Sequence, residues 1–256
     1  MTEVAKATEG IYLYAIIRNT GPLDYGTMGI GDRFDSVYAI NYKDISAIVS
    51  NSAVMRYEAR RVNITAHELV LEEVMKEFCV LPIRFSTISD SYDQSKVIRI
   101  LEKDYNKFSE LLDKMEGKKE LGLKVLALEE PIYKHILEKY SDIRILKGKL
   151  AKLDPDKAHY QLMKIGEMVE KALVKETTDF NNLIVNALTP LAEDVKINNK
   201  YGERMILNAA FLIRNEKEAE FDTAINAIDA QYSNLLSFKY VGTLPPYNFV
   251  NLVINL

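Results

Sequence analysis

The chain has 256 residues, long for one compact domain and comfortable for two, and its 48% hydrophobic content can bury a core without covalent staples. With 33 basic against 37 acidic residues the net charge is −4, so no concentrated basic face is available to displace phosphate counterions, which argues against nucleic acid as a partner. Cys79 is the single cysteine, which excludes an internal disulfide and any thiolate-rich metal site.

Met1 to Gly10 lacks the apolar core of a signal peptide, and no apolar run approaches the ~20 residues of a membrane-spanning helix, so a cytoplasmic protein is expected. Ile11 to Ile17 reads as a buried strand ended by Arg18 and the breaker pair Gly21-Pro22. A glycine-rich loop over 21–34 precedes two short strands, Val37 to Ile40 and Ile45 to Val49, which the polar link Asn41 to Asp44 makes a hairpin. Asn63 is placed to cap a helix on which Ile64, His67, Leu71, Val74, Met75 and Phe78 share one face. Leu81 to Ile88 returns as a strand. Asp93 then opens a longer helix, with Val97, Leu101, Tyr105, Phe108, Leu112 and Met115 buried and Gly117 as its stop. A strand at Leu121 to Leu128 completes a β-β-β-α-β-α-β order, an α+β sandwich with helices on one face, over residues 1–128.

Residues 129–153 form a charged helical connector with Pro131 early in a helix. Asp154-Pro155 is a cap followed by proline at the first helical position. Leu162, Ile165, Val169, Leu173, Phe180, Ile184 and Ala187 carry an apolar stripe that Glu176 interrupts, a place for a kink. Strands at Asp194 to Ile197 and Met205 to Ile213, a helix at Glu216 to Tyr232 and a strand at Leu236 to Val241 follow. Residues 154–256 thus give α-β-β-α-β, most of a ferredoxin-like unit, with a long leading helix and a C-terminal tail. The fold class is α+β, two sandwich-type domains joined by helical segments.

His67, His135 and His159 lie on separate helices without zinc-binding spacing, and Gly26-x-x-Gly29-x-Gly31 lacks the helix and the Lys-Ser/Thr of a phosphate loop. No nucleophile elbow occurs, and the apolar setting of Cys79 disfavours its thiolate. No catalytic residue, cofactor or metal is therefore assigned. His67 has two readings, an axial haem ligand or an imidazole hydrogen-bonded at the helix–sheet boundary. Arg84, inside an apparently buried strand, either pins loop carbonyls or offers a bidentate grip to a partner's carboxylate. Pro245-Pro246-Tyr247-Asn248-Phe249 is either a rigid edge turn or an exposed aromatic shelf.

Four ordered patches carry a resemblance: Ile11 to Ile16; Ala66-His67-Glu68 with Val70-Leu71-Glu72; Leu81-Pro82-Ile83-Arg84-Phe85 with Thr87-Ile88; and Val241-Gly242 with Pro245-Pro246-Tyr247-Asn248-Phe249-Val250. With them the chain resembles the GvpL/GvpF family of gas vesicle proteins nearly end to end. That pattern usually has glycine where this chain has Ser86, and proline-tryptophan where it has Thr243-Leu244. The serine implies a backbone that does not require positive φ. The resemblance implies a non-enzymatic accessory or minor structural protein of gas vesicle assembly, with the major shell protein and other accessory proteins as partners. Leu81, Arg84, Phe85, Tyr240, Pro245, Pro246, Tyr247 and Phe249 become candidate contact residues. The competing class is a ferredoxin-like enzyme or sensor that binds haem or another small ligand.

Overall fold

The structure, a computed structural model, describes residues 9–31, 33–54, 56–150, 155–252 and 254. The cap expected at Asp154 and nearly all of the Met1 to Gly10 segment lie outside the described residues. Two compact units form, residues 1–119 with 243–256, and residues 120–242.

The first unit contains β1 (Glu9–Arg18), β2 (Val37–Tyr42), β3 (Ile45–Ala53), α1 (Arg61–Met75), β4 (Val80–Pro82), β5 (Ile88–Ser89), α2 (Gln94–Lys103) and α3 (Tyr105–Met115). The sheet runs β2-β3-β1-β4, and β5 also pairs with β1. Every residue from Gly10 to Ile17 is buried, which requires cover on both faces of the sheet. Val70, Leu71 and Val74 of α1 cover the face of Tyr12, Tyr14, Ala15 and Ile17. On the other face α3 packs on β1 and β4 while α2 packs on β2 and β3. Helices therefore lie on both faces, not on one as the element order suggested.

Two local expectations also change. The stretch opened by Asp93 is two helices that break at Asp104, a break hidden by one continuous apolar stripe. Asn63 lies inside α1, and its amide reaches back to the Glu58 carbonyl at 2.9 Å instead of capping. Asp93 does cap, accepting from the Ser95 N–H at 2.9 Å, and Gly117 stops α3 at φ 68°.

The second unit contains β6 (Lys118–Ala127), α4 (Glu129–Lys139), α5 (Ser141–Leu150), α6 (Pro155–Leu188), β7 (Asp194–Ile197), β8 (Met205–Arg214), α7 (Glu218–Tyr232) and β9 (Leu236–Leu244). Its sheet order is β7-β8-β6-β9. The first strand thus sits between the third and fourth, which is the ferredoxin-like order along β-α-β-β-α-β. The strand read as the last of the first domain is in fact the missing first strand of the second. The division at 128 and 154 moves accordingly, and the final residues group with the first unit.

Alternation in β6 buries Leu121, Leu123, Val125 and Ala127 against Ile165, Leu173, Phe180 and Ile184 of α6 and Phe221 and Ile225 of α7. Glu176, where the stripe breaks, does not interrupt the helix: α6 is continuous, and the carboxylate is only 2% exposed. It accepts from the Tyr140 hydroxyl at 2.8 Å and Lys139 Nζ at 2.7 Å, and pairs with His135 Nε2 at 3.0 Å. Burial alone would raise its pKa, but these three partners together hold it below the ordinary carboxylate range. A charge that would be costly alone is satisfied by groups at the end of α4. No helix among the described residues is long and apolar enough to cross a membrane.

Candidate functional site

The site begins with two tyrosines in the middle of a sheet. Strand alternation puts Tyr12 and Tyr14 on one face, and the β1–β3 register slip between Leu13 and Ala15, a bulge, brings Ala15 and Ile17 onto that face as well. Their rings meet at 4.7 Å between centroids, the His67 ring stacks on Tyr14 at 5.5 Å, and Phe85 closes on His67 edge-on at 5.8 Å. Each buried hydroxyl then needs partners. Tyr14 Oη accepts from the Ile30 N–H at 2.8 Å and pairs with Ser50 Oγ at 3.0 Å. Tyr12 Oη accepts from the Ser86 N–H at 2.9 Å and lies 3.0 Å from His67 Nδ1. The buried Tyr12 hydroxyl proton needs an acceptor, and Nδ1 is the one within reach, so we assign that proton to Nδ1 and the imidazole proton to Nε2.

The environment fixes the protonation of this cluster. Burial lowers the His67 pKa to about 4; the nearby Ile83 carbonyl opposes this weakly, since Nε2 has no partner in hydrogen-bonding geometry. Burial also lifts the Tyr14 phenol to about 12 and the Tyr12 phenol further still. At neutral pH all three are uncharged. His67 is thus the hydrogen-bonded imidazole of the second reading, bonded to a tyrosine. The haem reading finds no support: Nδ1 is bonded to Tyr12, and Nε2 is buried inside the unit.

The Leu81 to Ile88 segment is not one strand. Pro82 of β4 stands opposite Ala15, and Ile88 of β5 opposite Tyr12, so residues 83–87 face only Leu13 and Tyr14 and must arch outward. The arch is anchored to β1 by Ile83 N–H to the Tyr14 carbonyl at 2.8 Å and Leu13 N–H to the Thr87 carbonyl at 3.0 Å, besides the Ser86 bond. The Thr87 hydroxyl donates to the Arg84 carbonyl at 2.6 Å. Gly10 admits β5 at close range, since a Cβ there would stand 2.2 Å from the Ser89 carbonyl oxygen.

Ser86 sits at φ 64°, so the left-handed conformation persists although glycine is absent, contrary to the sequence expectation. Its side chain contributes what glycine cannot, an acceptor for the Tyr57 N–H at 2.9 Å. Tyr57 in turn is buried, with its hydroxyl 2.9 Å from Ser52 Oγ. Arg84 is carried at the crest of the arch and is exposed, so its role as an internal pin is overturned. No hydrogen bond or ion pair engages its guanidinium among the described residues.

Beside the arch lies an open cleft of about 1020 Å³, lined by Val54 and Arg56 to Ala59 and by Arg84 to Ile88. Phe85 is half-buried on its floor. Leu81 is fully buried against Ile16 and builds scaffold only. In the tail, Pro245 and Pro246 are buried, with Val250 and Leu252 at 5% and 4% exposure, so this segment is an anchor. A tight turn holds it, with the Phe249 and Val250 N–H groups donating to the Pro246 carbonyl at 3.1 and 2.9 Å. Tyr247 is 40% exposed, and its phenol adds to the electrostatic burden on Tyr12. Phe249 is half-buried. Tyr240 belongs to the second unit, donating to Asp222 at 2.5 Å and tilted against Phe221. Sequence reading missed Tyr12, Tyr14, Ser50, Ser52 and Tyr57; the available signal was a pair of phenols in a strand buried on both faces.

The family model described as gas vesicle synthesis protein GvpL/GvpF matches residues 10–251. Gas vesicle protein F of Dolichospermum flosaquae is 25% identical, covering 94% of this chain and 98% of its own length. Gas vesicle protein F of Streptomyces sp. (strain CB03234) is 29% identical over 93% of this chain and 98% of its own. The crystal structure of gas vesicle protein GvpF from Anabaena sp. PCC7120 superposes with a TM-score of 0.79 at 25% identity, covering 96% of this chain and all of that one. GvpF from Microcystis aeruginosa superposes with a TM-score of 0.74 at 26% identity, over 95% and 99% of the two chains.

Two outcomes follow for the cluster. Ser86→Ala loses the acceptor for Tyr57 and keeps the left-handed strain, so urea unfolding should show a loss of about 1–3 kcal/mol. Ser86→Gly loses only the acceptor and should be more stable than Ser86→Ala by about 1 kcal/mol; equal losses would contradict the strain. For His67, the folded pKa of about 4 lies below the unfolded 6.5. Above 6.5 both states are neutral and no stability depends on it. As pH falls through that window the unfolded chain gains a proton first, so up to about 3 kcal/mol is lost by pH 4. His67→Gln should flatten this acid slope in urea midpoints measured from pH 7 to 4, and an unchanged slope would refute the assignment.

Proposed function

The chain belongs to the GvpL/GvpF family of gas vesicle synthesis proteins, and we propose that it is an accessory or minor structural protein of gas vesicle assembly that holds the major shell protein. The end-to-end family match carries this reading, supported by curated relatives named as gas vesicle proteins. Shell subunits of a gas compartment present apolar surface to the gas side, and before assembly that surface would aggregate in water. A protein that covers it until subunits join removes the hazard. The first unit offers a suitable surface, an anchored arch with Arg84 and Phe85 beside an open cleft, and the exposed Tyr247 of the tail.

The role is binding without catalysis. Reactive groups in the first unit are committed or suppressed: His67 is bonded to Tyr12, and burial pushes the Cys79 thiol up to about 11. Other accessory proteins of the vesicle are further partners, and the working location is the cytoplasm, at the vesicle.

Deleting the gene in a vesicle-forming host should abolish buoyant vesicles while shell-protein synthesis continues. Complementation with Arg84→Ala or Tyr247→Ala should restore fewer vesicles than the wild-type gene at equal protein level. Normal vesicles without the gene would end the assembly reading, and full rescue by both variants would end the assignment of this surface.

A further inference from the structure

Within the cleft of the first unit, nearly every polar side chain is already spoken for. The Tyr57 hydroxyl is held by Ser52, Ser86 Oγ by the Tyr57 N–H, and the Thr87 hydroxyl by the Arg84 carbonyl. Glu58, the one acidic residue of the lining, is paired with Arg60 at 2.6 Å, and Arg60 lies outside the lining. What remains are the exposed guanidinium groups of Arg56 and Arg84, neither with a carboxylate or hydrogen-bond partner among the described residues. Arg18, Arg33, Arg60, Arg204 and Arg214 have carboxylate partners, whereas this cleft brings two unpaired guanidinium groups into one lining. The same lining includes apolar side chains, with Val54 38% exposed and Phe85 and Ile88 half-buried.

We propose that Arg56 and Arg84 form a clamp for a carboxylate on an extended segment of the shell subunit, with an adjacent apolar side chain of that segment seated on Val54, Phe85 and Ile88. This rests on the shell-binding reading above and names what is recognised. Guanidinium grips a carboxylate bidentately, and the surplus positive charge of the lining selects an acidic over a basic segment. The backbone that carries Arg84 is pre-organised, because its arch is tied to β1 by the Ile83, Ser86 and Leu13 backbone bonds, so only the side chain has to order on binding. The cleft is too open to enclose a small molecule, whereas an extended chain needs a trough of this kind.

The test uses tagged full-length protein co-expressed with the major shell subunit, with capture measured at about 50 mM and about 500 mM NaCl. Wild type should capture the subunit at low salt and lose most of it at high salt. Arg56→Glu with Arg84→Glu should reduce low-salt capture about tenfold or more, while Arg84→Lys keeps an intermediate amount. Both positions are exposed, and unchanged thermal unfolding of the variants verifies that the fold is intact. Undiminished, salt-insensitive capture by the double variant overturns the clamp and leaves shell binding standing. No capture by wild type overturns both. A wild-type dimer in light scattering that the double variant dissolves, with shell capture unaffected, overturns the clamp in favour of a second copy of this chain as occupant.

Discussion

One buried hydroxyl organises the first unit. Tyr12 lies in a central strand with no solvent on either face, and its oxygen must be satisfied there or destabilise the sheet by about 1–3 kcal/mol. It takes the Ser86 N–H on one side and His67 on the other, which ties the arch of residues 83–87 and helix α1 to the same atom. Strand alternation sets the Tyr14 phenol on the same face, and the left-handed Ser86 presents its amide to Tyr12. The exposed features that a partner would meet, Arg84 and Phe85, are therefore carried on backbone fixed from beneath.

The second unit solves a comparable problem with charge instead of neutral groups. Glu176 interrupts an apolar helix face and stays ionised because Lys139, Tyr140 and His135 converge on it. Removing any one partner would leave a buried carboxylate under-satisfied, so this network specifies how α4 and α6 meet. The ferredoxin-like order itself assigns no activity, since that topology serves many unrelated roles. The functional argument rests on family membership and on the surface of the first unit.

Much of this was legible in the residues. Periodicity located nearly every helix and strand, and the four motif patches identified the family. What escaped was information held by distant partners. Leu121 to Leu128 reads as a buried strand in any context, and nothing local tells which sheet receives it; only the missing first strand of the ferredoxin-like set betrays its place. The arch was concealed because Ser86 occupies a left-handed position without the glycine that would announce it. Arg84 consequently looked buried when it crowns a turn. Glu176 looked like a break because its partners come from another helix, some 40 residues earlier in the chain, as the His135 separation of 41 shows. Tyr12 and His67 are 55 residues apart, and no local pattern announces their bond.

Amide hydrogen exchange on Tyr12→Phe tests the central claim most directly, because phenylalanine keeps the ring and removes only the oxygen. If that oxygen holds the arch, global stability should fall by about 2–4 kcal/mol, and the Ser86 amide should lose protection well beyond the global loss. Wild-type stability with a Ser86 amide as protected as before would contradict the account.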